Sequence, residues 1–280
     1  ADIEFCAIVQ PYDNFTGYPG AGIRLCSILD ASAAAVKSKE ERLQFCISSS
    51  EKALISGYSN VMLNLKRIEV SYMLTIKEYK KVESLEEAWE LNQKRSSRLI
   101  GGMMWQKMSK GNCAVAIDLS GLGLDQIREN ADQFEIGCMV TLRALEQHQG
   151  LLSYTDGAVK EALRHIVGVQ FRNTATVGGS IYGKYGFSDV LTLFLAMDTY
   201  VELYRAGTVP LPEFAAKDYG RDVLVRICVK KHPGRFVYQS VRNTQTDFPV
   251  LTCAAARLPG QPFLTVFGAR PGRAVRLFDD

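Results

Sequence analysis

The chain has 280 residues, 47% of them hydrophobic and 22% charged, with a formal net charge of +3. That length can bury a real core in one large or two modest domains, and with charge of mixed sign at this density nothing suggests a disordered tail. No Lys/Arg block stands out, no apolar run is long enough to cross a bilayer and no signal peptide is visible, so nucleic acid and membrane are set aside as partners and a cytoplasmic protein is expected.

Residues 1–72 resist assignment. Asp2–Val9 suggests a short strand, Pro11–Gly22 a loop rich in Gly, Pro and Asn, and Ala31–Phe45 a helix. At Met73 the texture changes. Thr75–Val82 predicts a strand, and Ser84 with Glu87 predicts a capping box for a helix running through Ala88, Trp89 and Leu91 to about Lys94. A short strand at Arg98–Ile100 is broken by Gly101-Gly102. Ala114–Asp118 follows as a buried strand, Leu119–Leu124 as a turn and Gln133–Cys138 as another strand. Thr141 can cap a helix through Glu146, and a second helix over about Gly157–Val167 carries Val159, Leu163 and Ile166 on one face.

Phe171–Ile181 is dominated by small and turn-forming residues. Ser188-Asp189 then opens an apolar helix, Val190–Met197, followed by a strand at Tyr200–Tyr204. Val223–Val229, Phe236–Val241, Val250–Ala256 and Phe263–Gly268 predict successive strands of a meander-like sheet. Short strands and helices mixed in this order argue for an α+β fold with mixed sheets and flanking helices.

Seven cysteines at positions 6, 26, 46, 113, 138, 228 and 253 contain no CxxC spacing and have no accompanying His pair. They carry no local signature of a zinc or iron–sulfur site and are expected as reduced, buried thiols, with no metal on this chain. The three histidines (148, 165 and 232) are scattered, and no nucleophile elbow is present, so no residue is assigned a catalytic role.

Two glycine pairs carry the functional signal. The first is Leu99-Ile100-Gly101-Gly102-Met103-Met104-Trp105. The second is Arg172–Ile181, with Thr176, Gly178, Gly179 and Ser180 at its centre. A diphosphate is held best by backbone amides that approach closely, which requires residues without Cβ, and nearby hydroxyls add donors without adding charge. Either pair alone is more often just a turn, and neither is a GxGxxG. Trp89 and Trp105 could stack on a flat ring or simply pack in the core.

From Met73 to about Arg273 the chain resembles the FAD-binding subunit, or middle domain, of the xanthine dehydrogenase and carbon monoxide dehydrogenase family of molybdenum hydroxylases. Arg172–Asp189 (RNTATVGGSIYGKYGFSD) resembles that family's second flavin loop. LIGG at 99–102 is similar to its first loop, and FEIGCMVTLRALEQH at 134–148 to the stretch between them. VYQSVRNTQTDFPVLTCAAA at 237–256 and FGARPGRAVRL at 267–277 are similar to the start of its C-terminal domain. The resemblance implies a two-part FAD-binding domain over 73–232 and the beginning of a C-terminal antiparallel-sheet domain over 233–280, which in the family continues into helices. Residues 1–72 match nothing in it.

The resemblance further implies that Leu99, Ile100, Gly101, Gly102, Met103 and Met104 wrap the FAD diphosphate through their amides, with Thr176, Gly178, Gly179 and Ser180 on the other side. Asp189 would accept hydrogen bonds from flavin or ribityl groups, its alternative being a helix-capping carboxylate. Ile181 would lie near the isoalloxazine unless it is core. Leu224 and Tyr238 would sit at the ring's edge. Electrons would arrive from a molybdenum-cofactor subunit through a [2Fe–2S] subunit and pass to NAD or another acceptor. The family's Thr-Asp in the first loop is Met103-Met104 here, its Asn after the second glycine pair is Ser180, and a Pro is replaced by Gly186. Accessory flavoproteins of purine-type hydroxylases, which also lack the Thr-Asp pair, are the subgroup the chain is most similar to. Two alternatives stand beside this reading: an FAD-free scaffold subunit, and a stand-alone flavin oxidase of the vanillyl-alcohol type.

Overall fold

The computed structural model describes residues 74–260, 263–269 and 274–279; the strand, loop and helix expected within residues 1–72 lie outside these. The first of these residues form a parallel sheet. Strand β1 (Thr75–Lys81) leads into helix α1 (Leu85–Asn92), strand β2 (Arg98–Ile100), a 3-10 turn (Gln106–Met108) and strand β3 (Asn112–Asp118), giving the order β1-β3-β2. Ser84 caps α1 as expected: its Oγ accepts from the Glu87 amide at 3.1 Å, while the Glu87 carboxylate accepts from the Glu83 amide at 2.9 Å. One helix between two parallel strands is the shortest device that returns the chain in the same direction.

A second, antiparallel sheet takes the next strands. β4 (Ile127–Glu129) and β5 (Gln133–Gly137) precede a long helical excursion. It comprises α2 (Leu142–Gln147), α3 (Gln149–Tyr154), α4 (Ala158–Leu163), α5 (Val169–Arg172), α6 (Val177–Tyr182) and α7 (Asp189–Leu195). The chain then adds β6 (Thr199–Leu203), β7 (Gly207–Pro210), α8 (Leu211–Ala216) and β8 (Leu224–Lys230), in the order β4-β5-β8-β6-β7. β8 is therefore the centre of this sheet. It does not begin the meander expected for it, because its partners β5 and β6 bury both its edges.

The remaining strands, β9 (Arg235–Val241), β10 (Leu251–Arg257), β11 (Phe263–Ala269) and β12 (Val275–Asp279), form a separate antiparallel meander. Between the two antiparallel sheets lies α7, whose seven residues are all buried; it packs on β10 and β11 on one side and on α6 and α8 on another. A helix buried on every side belongs inside a core, and its two polar residues, Asp189 and Thr192, are both hydrogen-bonded there. Thr192 on α7 and Thr252 on β10 share a buried hydrogen bond of 2.9 Å, which fixes the sheet's register on the helix. The fold is α+β, with mixed sheets, flanking helices and an antiparallel C-terminal sheet.

The helix expected over 157–167 ends at Leu163, and Val167, exposed and at φ 49°, closes a turn. Phe171–Ile181, expected as loop, contributes most of two short helices, α5 and α6.

Candidate functional site

Strand β2 delivers the first glycine pair to the edge of a cleft. A Cβ on Gly102 would sit 1.8 Å from the Thr174 carbonyl oxygen, and one on Gly101 would sit 2.5 Å from Thr176 Oγ1. Only side-chain-free residues permit this contact, so the two glycine-rich stretches converge on each other. Met103 takes the left-handed conformation at φ 56°. Such a turn aims successive amides to one side, which suits an anion. The amides of Gly101, Gly102, Met103 and Met104 donate to no acceptor among the described residues. The Met103 side chain packs on the small cluster of Ile100, Cys113 and Ala116, and Met104 packs on the main core. The cradle thus presents backbone donors and no carboxylate.

The second pair forms the first turn of α6. Thr176 is its cap, with Oγ1 accepting from the Gly179 amide at 3.3 Å, and the Gly178 amide donates to Cys138 O at 2.9 Å. These two amides are engaged within the fold, whereas a loop would have left them open. Gly178 serves packing: its Cβ would lie 2.6 Å from Cys138 O. Gly179 differs, since a Cβ there meets only Thr176 Oγ1, at 3.3 Å, and the residue faces the cleft. Ser180 Oγ donates to Thr176 O at 3.2 Å.

Between the two stretches lies a cavity of about 520 Å³, within the range that small-molecule sites occupy. Of the residues expected at the site, Leu99, Ile100, Gly101, Gly102, Met103, Met104, Thr176, Gly178, Gly179, Ser180, Asp189 and Leu224 line it. Ile181 and Tyr238 do not. Ile181 is fully buried in the core, the alternative left open for it. Tyr238 faces a second cavity of about 330 Å³ and reaches the first only through Asp189.

Asp189 stands at the first turn of α7, where Ser188 supplies the side-chain cap to the Leu191 amide at 3.2 Å. Its carboxylate accepts from Tyr238 Oη at 2.6 Å and from the Arg242 guanidinium. Burial pushes the Asp189 carboxyl up, against the pull of Arg242 and of the Tyr238 hydrogen bond. The Tyr238 hydroxyl is raised as well, by burial and by the Asp189 charge, and stays protonated as a donor. Asp189 is therefore a satisfied group at the cavity wall.

Apart from Trp105, already considered for stacking, several residues at the cavity escaped the sequence reading. Arg221 closes one end: its guanidinium donates to the carbonyls of Asn92 and Ser97 and, at 3.1 Å, to Asn92 Oδ1. The other end is aromatic. Trp105 stacks on Phe248 with centroids 5.1 Å apart, and Phe171 and Phe187 meet this pair edge-on. Trp89 lies elsewhere, under the Arg205 guanidinium at 4.4 Å. Below the cavity, the buried Arg172 pairs with Glu146 at 2.9 Å and donates to Ile166 O at 3.0 Å, tying α5 to α2. Trp105, Arg172, Phe187 and Phe248 all stood inside quoted stretches, but no motif brings these separate segments to one cavity.

A cavity of this size, with uncharged donors at a glycine cradle and an aromatic end, fits a dinucleotide: the amides suit the diphosphate and the rings a flat heterocycle. The model of the FAD binding domain in molybdopterin dehydrogenase matches residues 73–229. The protein YgfM of Escherichia coli (strain K12) is 23% identical over 208 residues, which is 73% of this chain and 78% of that protein. Among solved structures, carbon monoxide dehydrogenase from Hydrogenophaga pseudoflava is similar with a TM-score of 0.64 at 23% identity, covering 71% of this chain and 76% of that one. Quinoline 2-oxidoreductase from Pseudomonas putida 86 gives a TM-score of 0.62 at 19% identity, with 71% and 76% covered. Carbon monoxide dehydrogenase from Oligotropha carboxidovorans gives 0.63 at 18%, with 72% and 77% covered.

Proposed function

Because this chain belongs to the family of FAD binding domains in molybdopterin dehydrogenases, we propose that it is the FAD-binding electron-transfer subunit of a molybdenum hydroxylase. In this reading the molybdenum cofactor and the [2Fe–2S] clusters sit on partner chains, and NAD or another acceptor takes the electrons. The observation that carries it is the convergence of Gly101-Gly102 on Thr174–Thr176, with the unengaged amides of Gly101 to Met104 at the contact. Bound FAD supplies the electron-accepting chemistry that side chains lack.

The chain's own residues bind and orient. The amides of Gly101 to Met104 hold the diphosphate, and Gly179 leaves room for it from the α6 side. Asp189, fixed by Tyr238 and Arg242, marks one wall, and Leu224 on β8 gives the floor an apolar surface.

The test is reconstitution. Purified protein titrated with FAD is expected to bind it saturably, one per chain, and to release it on denaturation; no saturable binding overturns the reading. A second reading, an FAD-free scaffold subunit of the same fold, is favoured by Met103-Met104 standing where a hydroxyl and a carboxylate are usual. The visible absorbance of the protein as isolated separates the two.

A further inference from the structure

The connection between β9 and β10 is not an idle turn. It folds over the aromatic end of the cavity, which Arg242, Thr246, Asp247 and Phe248 all line. It is held in that position from within: Arg242 donates to the Asp247 carbonyl, to Ser240 Oγ at 3.2 Å and to the Asp189 carboxylate, while the Asp247 amide donates to Thr244 O at 3.2 Å. One guanidinium therefore joins the connection, strand β9 and helix α7. The consequence is the position of Phe248, half-buried, with its ring stacked on Trp105 at an interplanar angle of 25°.

We propose that Trp105 and Phe248 form the ring-stacking wall for a planar ring of the bound dinucleotide, and that Arg242, latched to Asp189, is the positioning residue that holds Phe248 against it. This rests on the FAD reading above. Trp105 extends from the first glycine loop itself, three residues past Gly102, so a diphosphate on those amides brings an attached ring within reach of this wall. Stacking tolerates any flat heterocycle, so isoalloxazine and adenine share the chemistry that the wall recognises.

The experiment measures binding of FAD, FMN and ADP to the full chain and to Phe248→Ala, Phe248→Tyr and Trp105→Ala, together with the fluorescence of bound flavin and the thermal midpoint. Phe248→Ala and Trp105→Ala are each expected to weaken FAD about tenfold, the scale of one stacking contact, and Phe248→Tyr to restore it. A loss shared with FMN, with brighter bound flavin, places the isoalloxazine on the wall; a loss shared with ADP places the adenine there. Phe248 is half-buried at the surface of the cavity, so these variants should keep a native thermal midpoint. Unchanged FAD affinity in both alanine variants overturns the proposal. Failure of the unsubstituted chain to bind FAD would instead overturn the functional reading beneath it.

Discussion

Gly178 and Gly179 are neighbours in a repeat of identical residues, yet a methyl group would mean different things at each. At Gly178 it would press on the Cys138 backbone and side chain, and Gly178→Ala is expected to destabilise the protein by about 1–3 kcal/mol in a denaturant titration. At Gly179 the side chain would project toward the cavity. Gly179→Val is therefore expected to lose FAD binding while its thermal midpoint stays near that of the parent; unchanged flavin content would move the site elsewhere. Cys138 itself is a structural thiol. Burial pushes its pKa up to about 12, and Cys228 up to about 11. Both pKa values are raised on folding, so the stability they contribute is full below about pH 9 and is lost as pH rises through the folded values. Native protein at pH 8 should resist alkylation at Cys138 and react only when unfolded, which mass spectrometry of labelled peptides would show. The sequence made the glycines visible as a pair; which of them has no room for a side chain depends on Cys138, forty positions away, and that is a property of packing.

The elements divide by the reach of the forces that make them. Caps were legible because they are local. Ser84 and Thr141 each accept from the amide three residues on, and Ser84→Ala should cost about 1 kcal/mol in α1. Helix α6 was hidden because glycine disfavours helix by about 1 kcal/mol, and here Thr176 and the contact with Cys138 override that preference. Strands β4 and β7 were missed because three or four residues show no period. The strand at β8 was foreseen but put in the wrong sheet, since alternation tells which face is buried and says nothing of the partner. Among the helical segments the Arg172–Glu146 pair is the firmest tie. Both groups are buried; Glu146 keeps its second partner Arg143, so Arg172→Ala removes one charged hydrogen bond without stranding the carboxylate and is expected to destabilise by about 1–3 kcal/mol, read as a shift in the denaturation midpoint.

At the scale of the whole molecule, the α+β class and the two-loop cradle followed from the sequence, the latter through its likeness to a flavoprotein family. The closure of the cavity by the C-terminal sheet did not, because Phe248 and Arg242 belong to no periodic pattern. Saturating FAD should raise the thermal midpoint in proportion to the logarithm of its concentration, since it binds only the folded chain. The five-stranded sheet carries a final implication. Its β5 pairs with β8, and everything from α2 to α8 lies between them. On the ribosome, β1, α1, β2 and β3 can dock as they emerge, but β5 must wait through most of a hundred residues for its neighbour. Nascent chains stalled before Leu224 should accordingly remain protease-sensitive downstream of β3, and acquire resistance in one step once β8 has cleared the exit tunnel.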